Sequence, residues 1–572
     1  MSSLLVPARP GPLPALVRTV RGAGRARWPG IVVVAGYLGL ALLVTGRFLG
    51  DPAGTVSAHL PPDHTWFQWL LSHGAHSVRT LTNPLFSTQQ NVPYGVNMMA
   101  NTSVLGVTLP LAPLTWWLGA RVTYLIWMIA ALAGTALTTY LVLHRHVVSS
   151  RAAAFAGGAF AGFAPGVVHH ANGQPNFVSN FLLPLIVARA LTLGRDGRLR
   201  RDGVALGLLV AWQLFINEEL LLITALACAV AAAVRPRKIR RMLPGLAVTA
   251  LVSGMLCAYP IWFQFFGPQS YRGVPMFTGW GEDPVTWLTF ARDTIAGDAS
   301  AETAQGRTEQ NSWFGWPLTL LVLVLCVTLR RRMRAAVAVV AVFGALSLGP
   351  RLRFGGALTD LPGPLAVVPD WLPLFDLAMP SRLTFAVIGA IAVLVAVAFD
   401  RGGRAWRVAV VAVLLPLTPT PVPAMPEPPT PAFITSGAWR EFVPAGRTLV
   451  PVPLPSQYTG RDSLGWSAWA QHRFAVPEGY FLGPGPDGAG QMGTTHVSHT
   501  TTLVERTLRA GAAPVLTAGD AELVRADARR WNGSVVVMRS GPGYRPLHDL
   551  ISQVYGVPSQ AGGVWLWDLR ER

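Results

Sequence analysis

Asp63-His64-Thr65-Trp66-Phe67-Gln68-Trp69-Leu70-Leu71 opens a polar stretch that runs on to Ser103. It passes through Asn83-Pro84-Leu85-Phe86, Asn91-Val92-Pro93-Tyr94-Gly95-Val96-Asn97 and Asn101-Thr102-Ser103. The stretch is dense in turn formers and sets a carboxylate beside aromatic rings. Apolar runs long enough to cross a bilayer lie on either side of it. A polar site held at the membrane surface by helices suits a substrate with one lipid-like part and one water-soluble part.

The composition agrees. Of 572 residues 51% are hydrophobic and 13% charged, against about 25% charged in an average soluble domain. The net charge of +18 does not point to nucleic acid, because the basic residues cluster in short loops between apolar runs and form no continuous face. Cys228, Cys257 and Cys326 all sit within apolar runs without CxxC spacing, which excludes a disulfide framework and a zinc site as readings. Arg9, Arg18, Arg21, Arg25 and Arg27 precede the first apolar run. That run is long for a signal-peptide core, so it is expected to stay as an uncleaved helix.

Candidate spans are 28–49, 121–143, 151–168, 176–193, 202–217, 218–234, 242–262, 313–329, 335–350, 381–399 and 407–422. The segments 1–27, 144–151, 194–203, 235–241, 330–334 and 400–407 hold half of the 46 basic residues, with only Asp196, Asp202 and Asp400 as acids. Basic loops stay cytoplasmic, which puts the N-terminus inside and the loops 50–120, 263–312 and 351–380 outside. The Pro-interrupted segment 103–119 reads as re-entrant or juxtamembrane. Pro and Thr dominate 416–431, so 423–431 is expected to be a stiff linker. Residues 432–572 alternate β-rich runs (448–452, 534–538, 563–568) with a helix-like run at 518–531, the pattern of a soluble α/β domain on the outer face. No internal repeat is evident.

Asp63 is the leading candidate for a general base, since one positioned carboxylate can take the proton of an attacking hydroxyl. The alternative is that it caps a helix starting at Thr65 after Pro61-Pro62. Asp51, just past the first helix, is the rival base. Trp66 and Trp69 can stack on a sugar or form an aromatic belt. Asn91 and Asn97 can bond sugar hydroxyls or simply shape a turn. His169, His170, Asn172 and Gln174 make a polar cap between two helices, suited to a phosphate or sugar or to solvent; two adjacent histidines are not a metal-ligand set. Glu218 and Glu219 stand beside apolar runs, where ionisable groups are often functional. Arg382 at the outer end of a helix can clamp a phosphate bidentately or snorkel to the interface.

On these residues the chain resembles a family of actinobacterial membrane glycosyltransferases of the GT-C superfamily. The likeness rests on Asp63, Phe67-Gln68-Trp69-Leu70-Leu71, Asn83-Pro84-Leu85, Asn91 to Met99 and Asn101-Thr102-Ser103. Met98 stands where that pattern has Leu. It extends through Phe163-Ala164-Pro165, the 169–176 turn and Asn217-Glu218-Glu219, more loosely through Leu348-Gly349-Pro350 and Pro380 to Phe385, and after 430 only in general character. It implies an α-helical polytopic GT-C-like membrane protein of about 11 transmembrane helices with re-entrant or juxtamembrane helices and a C-terminal extracytoplasmic α/β domain. It further implies a polyprenyl-phosphate-linked sugar as donor, an envelope glycan, glycolipid or protein as acceptor and Asp63 as base; many members of the superfamily need no metal. The competing expectations are a transporter or flippase of a lipid-linked or polar solute, and a non-catalytic envelope-assembly subunit. A transporter would show charged residues in mid-helix, paired or broken spans, and a repeated half.

Overall fold

The computed structural model describes residues 24–193, 197–234, 236–275, 279–301, 309–368 and 378–570. Arg9, Arg18 and Arg21 of the expected inner tail, and part of the 194–203 loop, lie outside them. Among the described residues three helices are long and apolar enough to cross a membrane: Ala112–His146, Ile239–Phe266 and Pro380–Arg401. Gly30–Val44, Gly315–Leu329 and Arg334–Leu346 are apolar but shorter. This corrects the expected count of about 11, which took each apolar run as a full crossing of roughly 20 residues. Expected span 176–193 is broken into Pro175–Val178 and Leu183–Thr192, and 151–168 stops at Phe163 ahead of Pro165. The expected pair 202–217 and 218–234 is there as Leu199–Leu214 and Glu218–Ala233. The second is started by Asn217, whose side chain accepts from the Leu220 amide at 2.9 Å.

Large apolar side chains stand exposed along the outward helix faces, among them Leu251, Met255, Trp262, Leu320 and Leu323. A surface like that needs lipid or protein against it. The segment 103–119 holds a short helix, Leu105–Thr108, and then the first turns of the Ala112–His146 helix, which kinks at Gly119 (φ 78°, ψ 163°). Ser149 and Ser150 bond the Asp400 carboxylate, joining the 144–151 loop to the 400–407 loop. Arg382 lies at the other end of the Pro380–Arg401 segment. The intervening Thr384–Arg401 helix of 18 residues is about 27 Å long at 1.5 Å per residue, close to a hydrocarbon core of about 30 Å.

Pro61–Thr80 forms the helix that carries Asp63. Proline is favoured in the first helical turn because its missing N–H has no partner there, so the helix begins at Pro61 rather than Thr65. Leu60 is the N-cap, without a side-chain cap bond. Asp63 therefore does not cap the helix; its carboxylate is left for other partners.

The C-terminal part is bound tightly to this helix. The Pro-rich 423–431 run is not a free spacer. Ala424–Pro426 pairs antiparallel with Thr55–Ser57, and the Val422 amide bonds the Val44 carbonyl. A four-stranded sheet follows, in the order Ser559–Ala561, Val564–Asp568, Gly533–Arg539, Thr448–Val452, with only the last pair parallel. The helices His499–Ala510, Ala518–Arg530 and Arg545–Tyr555 cover it through Val504, Val524, Leu547, Ile551, Trp531 and Trp567. The Arg461–Trp469 helix lies against Pro61–Thr80, where Ser72 Oγ donates to the Ala468 carbonyl at 2.8 Å.

Candidate active site

Asp63 is partly exposed in the first turn of its helix, and both carboxylate oxygens are engaged. Gln174 Nε2 donates to Oδ2 at 2.8 Å, and the Tyr480 hydroxyl donates to Oδ1 in a short hydrogen bond. Two carboxylate oxygens offer about four lone pairs, so room remains for a further donor. Desolvation pushes the Asp63 carboxyl above its ordinary range; the Tyr480 and Gln174 hydrogen bonds pull it back in part. The result is a carboxylate more basic than one in water.

The network continues from Gln174. Its Oε1 lies 2.5 Å from His170 Nδ1, and His170 Nε2 faces Asn311 Oδ1 at 2.9 Å and Glu309 Oε2 at 3.7 Å. Arg382 then donates Nε and Nη2 to Glu309 at 3.0 and 2.9 Å, and Nη1 to Glu219 Oε2 at 2.6 Å. Its guanidinium also lies 4.2 Å over the Phe177 ring. Burial alone would raise the Glu309 carboxyl, but the charges of Arg382 and His170 override it and hold the group down to about 2. Five candidates from four separated stretches of sequence (Asp63, His170, Gln174, Glu219 and Arg382) therefore stand in one connected chain of contacts.

Other candidates lie elsewhere. The Asp51 carboxylate is exposed and accepts from the Gly54 amide at 2.8 Å, serving its own turn. Trp69 is fully buried between Trp66 and His73, so the stacking expected against a sugar is instead stacking in the core. Trp66 is also buried, with its ring against the Tyr480 edge at 6.3 Å. Asn91 Nδ2 bonds the Gly95 carbonyl, and Asn97 ties Phe263 to the Met99 and Ala100 amides; both are buried and shape the loop. Asn172 Nδ2 donates to Asp293 Oδ2 at 3.1 Å, outside the Asp63 chain. Glu218 accepts from Gln264 Nε2 at 2.9 Å, outside the Asp63 chain. The Arg382 fork, expected to clamp a phosphate or to snorkel, faces the carboxylates of Glu219 and Glu309.

Tyr480, Glu309 and Asn311 were not foreseen. Tyr480 is 417 residues from Asp63 and sits in no motif; only the folding of the C-terminal part onto the Pro61–Thr80 helix brings it there. Replacing Tyr480 by Phe removes one hydrogen bond from the Asp63 carboxylate. A hydrogen bond to a charged group is worth about 1.5–3 kcal/mol. Because that bond favours the ionised form, Tyr480→Phe should move the acid limb of any Asp63-dependent rate to higher pH, while the rate at alkaline pH is largely kept. A pH–rate profile checks this.

A family model described as a domain of unknown function (DUF6311) matches residues 62–417, well over half of the chain. No curated protein matches the sequence. Among solved structures, the arabinofuranosyltransferase AftD from Mycobacteria superposes with a TM-score of 0.58 at 15% identity, covering 95% of this chain and 40% of AftD. The chain thus spans about two fifths of AftD's length. The archaeal oligosaccharyltransferase AglB from Archaeoglobus fulgidus, in a complex with an inhibitory peptide and a dolichol-phosphate, gives a TM-score of 0.44 at 11% identity, covering 96% of this chain and 75% of AglB. The fold is thus similar to that of AftD.

Proposed function

The chain belongs to the DUF6311 family, whose description carries no reaction with it, and we propose one: a membrane glycosyltransferase that moves a sugar from a polyprenyl-phosphate-linked donor to a hydroxyl acceptor on the extracytoplasmic face. The observation that carries this reading is Asp63, a carboxylate raised in basicity and held by Tyr480 and Gln174 on a helix outside the long apolar spans. An acceptor hydroxyl hydrogen-bonded to a remaining lone pair would lose its proton to Asp63 as its oxygen attacks the sugar's anomeric carbon. The bond from that carbon to the lipid phosphate breaks, and the phosphate leaves with the electron pair. A single displacement inverts the anomeric centre.

In this reading residues 1–27 face the cytoplasm, 28–422 form the membrane domain, and 432–572 pack on the outer face. The joined basic loops at 144–151 and 400–407 support that orientation, since basic loops stay inside and Arg382 is a helix length away. The Arg382–Glu219–Glu309 cluster holds the Pro380–Arg401 and Glu218–Ala233 helices against the 263–312 loop. It reaches Asp63 through His170 and Gln174, so its part is positioning. The test is transfer of labelled sugar by the purified full chain from a panel of polyprenyl-phosphate donors. Transfer onto an added glycan, glycolipid or peptide acceptor is expected. No transfer from any donor, in a protein that is folded and membrane-inserted, would count against the reaction.

A further inference from the structure

A cleft of about 180 Å³ opens in the C-terminal part. It lies at the carboxyl ends of the two parallel strands. Pro451 and Val452 finish one strand, Arg539 finishes the other, and all three line it. Ligands of sheets with parallel strands gather at those ends.

Its chemistry narrows the ligand. Tyr458 lines the cleft with 80% of its surface exposed, so packing does not account for that ring. The turn that presents it is tied down by the Tyr458 and Thr459 amides on Ser456 Oγ and by Thr459 Oγ1 on the Leu454 carbonyl. Arg539 Nε and Nη2 both donate to Asp462 Oδ2, at 3.3 and 3.0 Å. Asp462 Oδ1 accepts no hydrogen bond from a described residue. Arg461 donates to Glu427 at 2.6 Å and to Thr65 at 3.1 Å. Each guanidinium is thus matched by a carboxylate. A phosphate or an acid would find no unbalanced charge here, whereas a neutral polyol would find an open aromatic face, a carboxylate oxygen and guanidinium donors.

We propose that this cleft is a saccharide-binding subsite. Tyr458 takes the apolar face of a sugar ring, and the Asp462–Arg539 pair takes its hydroxyls. The subsite is joined to the candidate active site. Arg461 bonds Thr65, two residues from Asp63 on the same helix, and the Arg461–Trp469 helix lies along that helix. Naming the occupant as the acceptor glycan rests on the proposed transferase; the subsite itself does not.

Binding is read by saturation-transfer NMR on the detergent-solubilised full chain with no donor present. The probes are linear tetrasaccharides of arabinose, galactose, mannose and glucose, with inorganic phosphate as competitor. At least one tetrasaccharide should receive saturation on its ring protons. Tyr458→Ala and Asp462→Asn should each weaken it about tenfold, a loss of roughly 1.4 kcal/mol. Asp51→Asn, which alters a carboxylate that serves its own turn, should bind as wild type does, and phosphate should not compete. Silence from every saccharide, unchanged binding by the well-folded Tyr458→Ala chain, or displacement by phosphate would each overturn the subsite. Binding by a wild type that transfers nothing would count against the proposed reaction and leave the subsite standing; transfer onto a saccharide that shows no binding would do the reverse.

Discussion

Asp63→Asn is expected to lower sugar transfer by about 10²–10⁴-fold, the usual contribution of a positioned general base, with folding intact. Asparagine matches the carboxylate in size and keeps one oxygen to accept from Tyr480. What it loses is the ability to hold the proton of an attacking hydroxyl. The measurement is the initial rate of labelled-sugar transfer, with thermal unfolding followed on the same preparations. Asp51→Asn is the control. That exposed carboxylate serves only the Gly54 amide, so its loss should leave the rate within about twofold, as for surface substitutions away from special features. The wild type should also show an acid limb above the ordinary carboxylate range of about 3.9. The sign follows from the raised Asp63 carboxyl: as pH falls through that value the base takes up a proton and the rate drops, while at higher pH the base is free. The limb should vanish in Asp63→Asn, whose residual rate has no carboxylate to titrate. A variant that transfers at the wild-type rate would remove Asp63 from the chemistry.

Much of this site was legible locally, and the missing parts have a common cause. Asp63, Gln174, His170, Glu219 and Arg382 each stand out because a polar or charged group beside an apolar run is costly unless it has a partner. The partners themselves were not legible. Tyr480 and Glu309 meet Asp63 and Arg382 across separations of 417 and 73 residues, and no periodicity encodes such a meeting. Trp66 and Trp69 were read as sugar platforms or an aromatic belt; Tyr480 and His472, far away in the sequence, stand against their rings instead. The α/β character after Thr448 was readable from short β-rich runs and from the 518–531 helix, whose Thr517–Asp520 capping box is a local signal. The strand order, with Gly533–Arg539 between a parallel and an antiparallel neighbour, was not. The number of crossings was overread for a physical reason. Hydropathy averages over a run, whereas Pro165 and the break at 179–182, which holds Ser179 and Asn180, end helices inside runs that are apolar on the whole.

Arg382→Met should destabilise the protein by about 3–5 kcal/mol, the usual effect of removing one partner from a buried ion pair. Arg382 is only 8% exposed and holds two carboxylates, so its loss leaves Glu219 and Glu309 facing each other's charge without a cation between them. Glu309 is held down to about 2 in large part by that guanidinium; without it, burial would drive the group to take up a proton. Thermal or denaturant unfolding in detergent measures the loss. Arg382→Lys should fall between, because an ammonium keeps the charge but cannot reproduce the fork that reaches both partners. The informative variant is the triple replacement Arg382→Met, Glu219→Gln, Glu309→Gln. Neutral amides no longer need a counter-charge, so most of the lost stability should return, a coupling that independent sites would not show. A guanidinium that clamped a donor phosphate would behave differently: Arg382→Met would stay stable and raise the donor KM, and the two glutamine replacements would rescue nothing. The geometry favours the first outcome. A cation already matched by two carboxylates could bind a phosphate only by giving one of them up, and the carboxylate released would be buried beside the incoming anion.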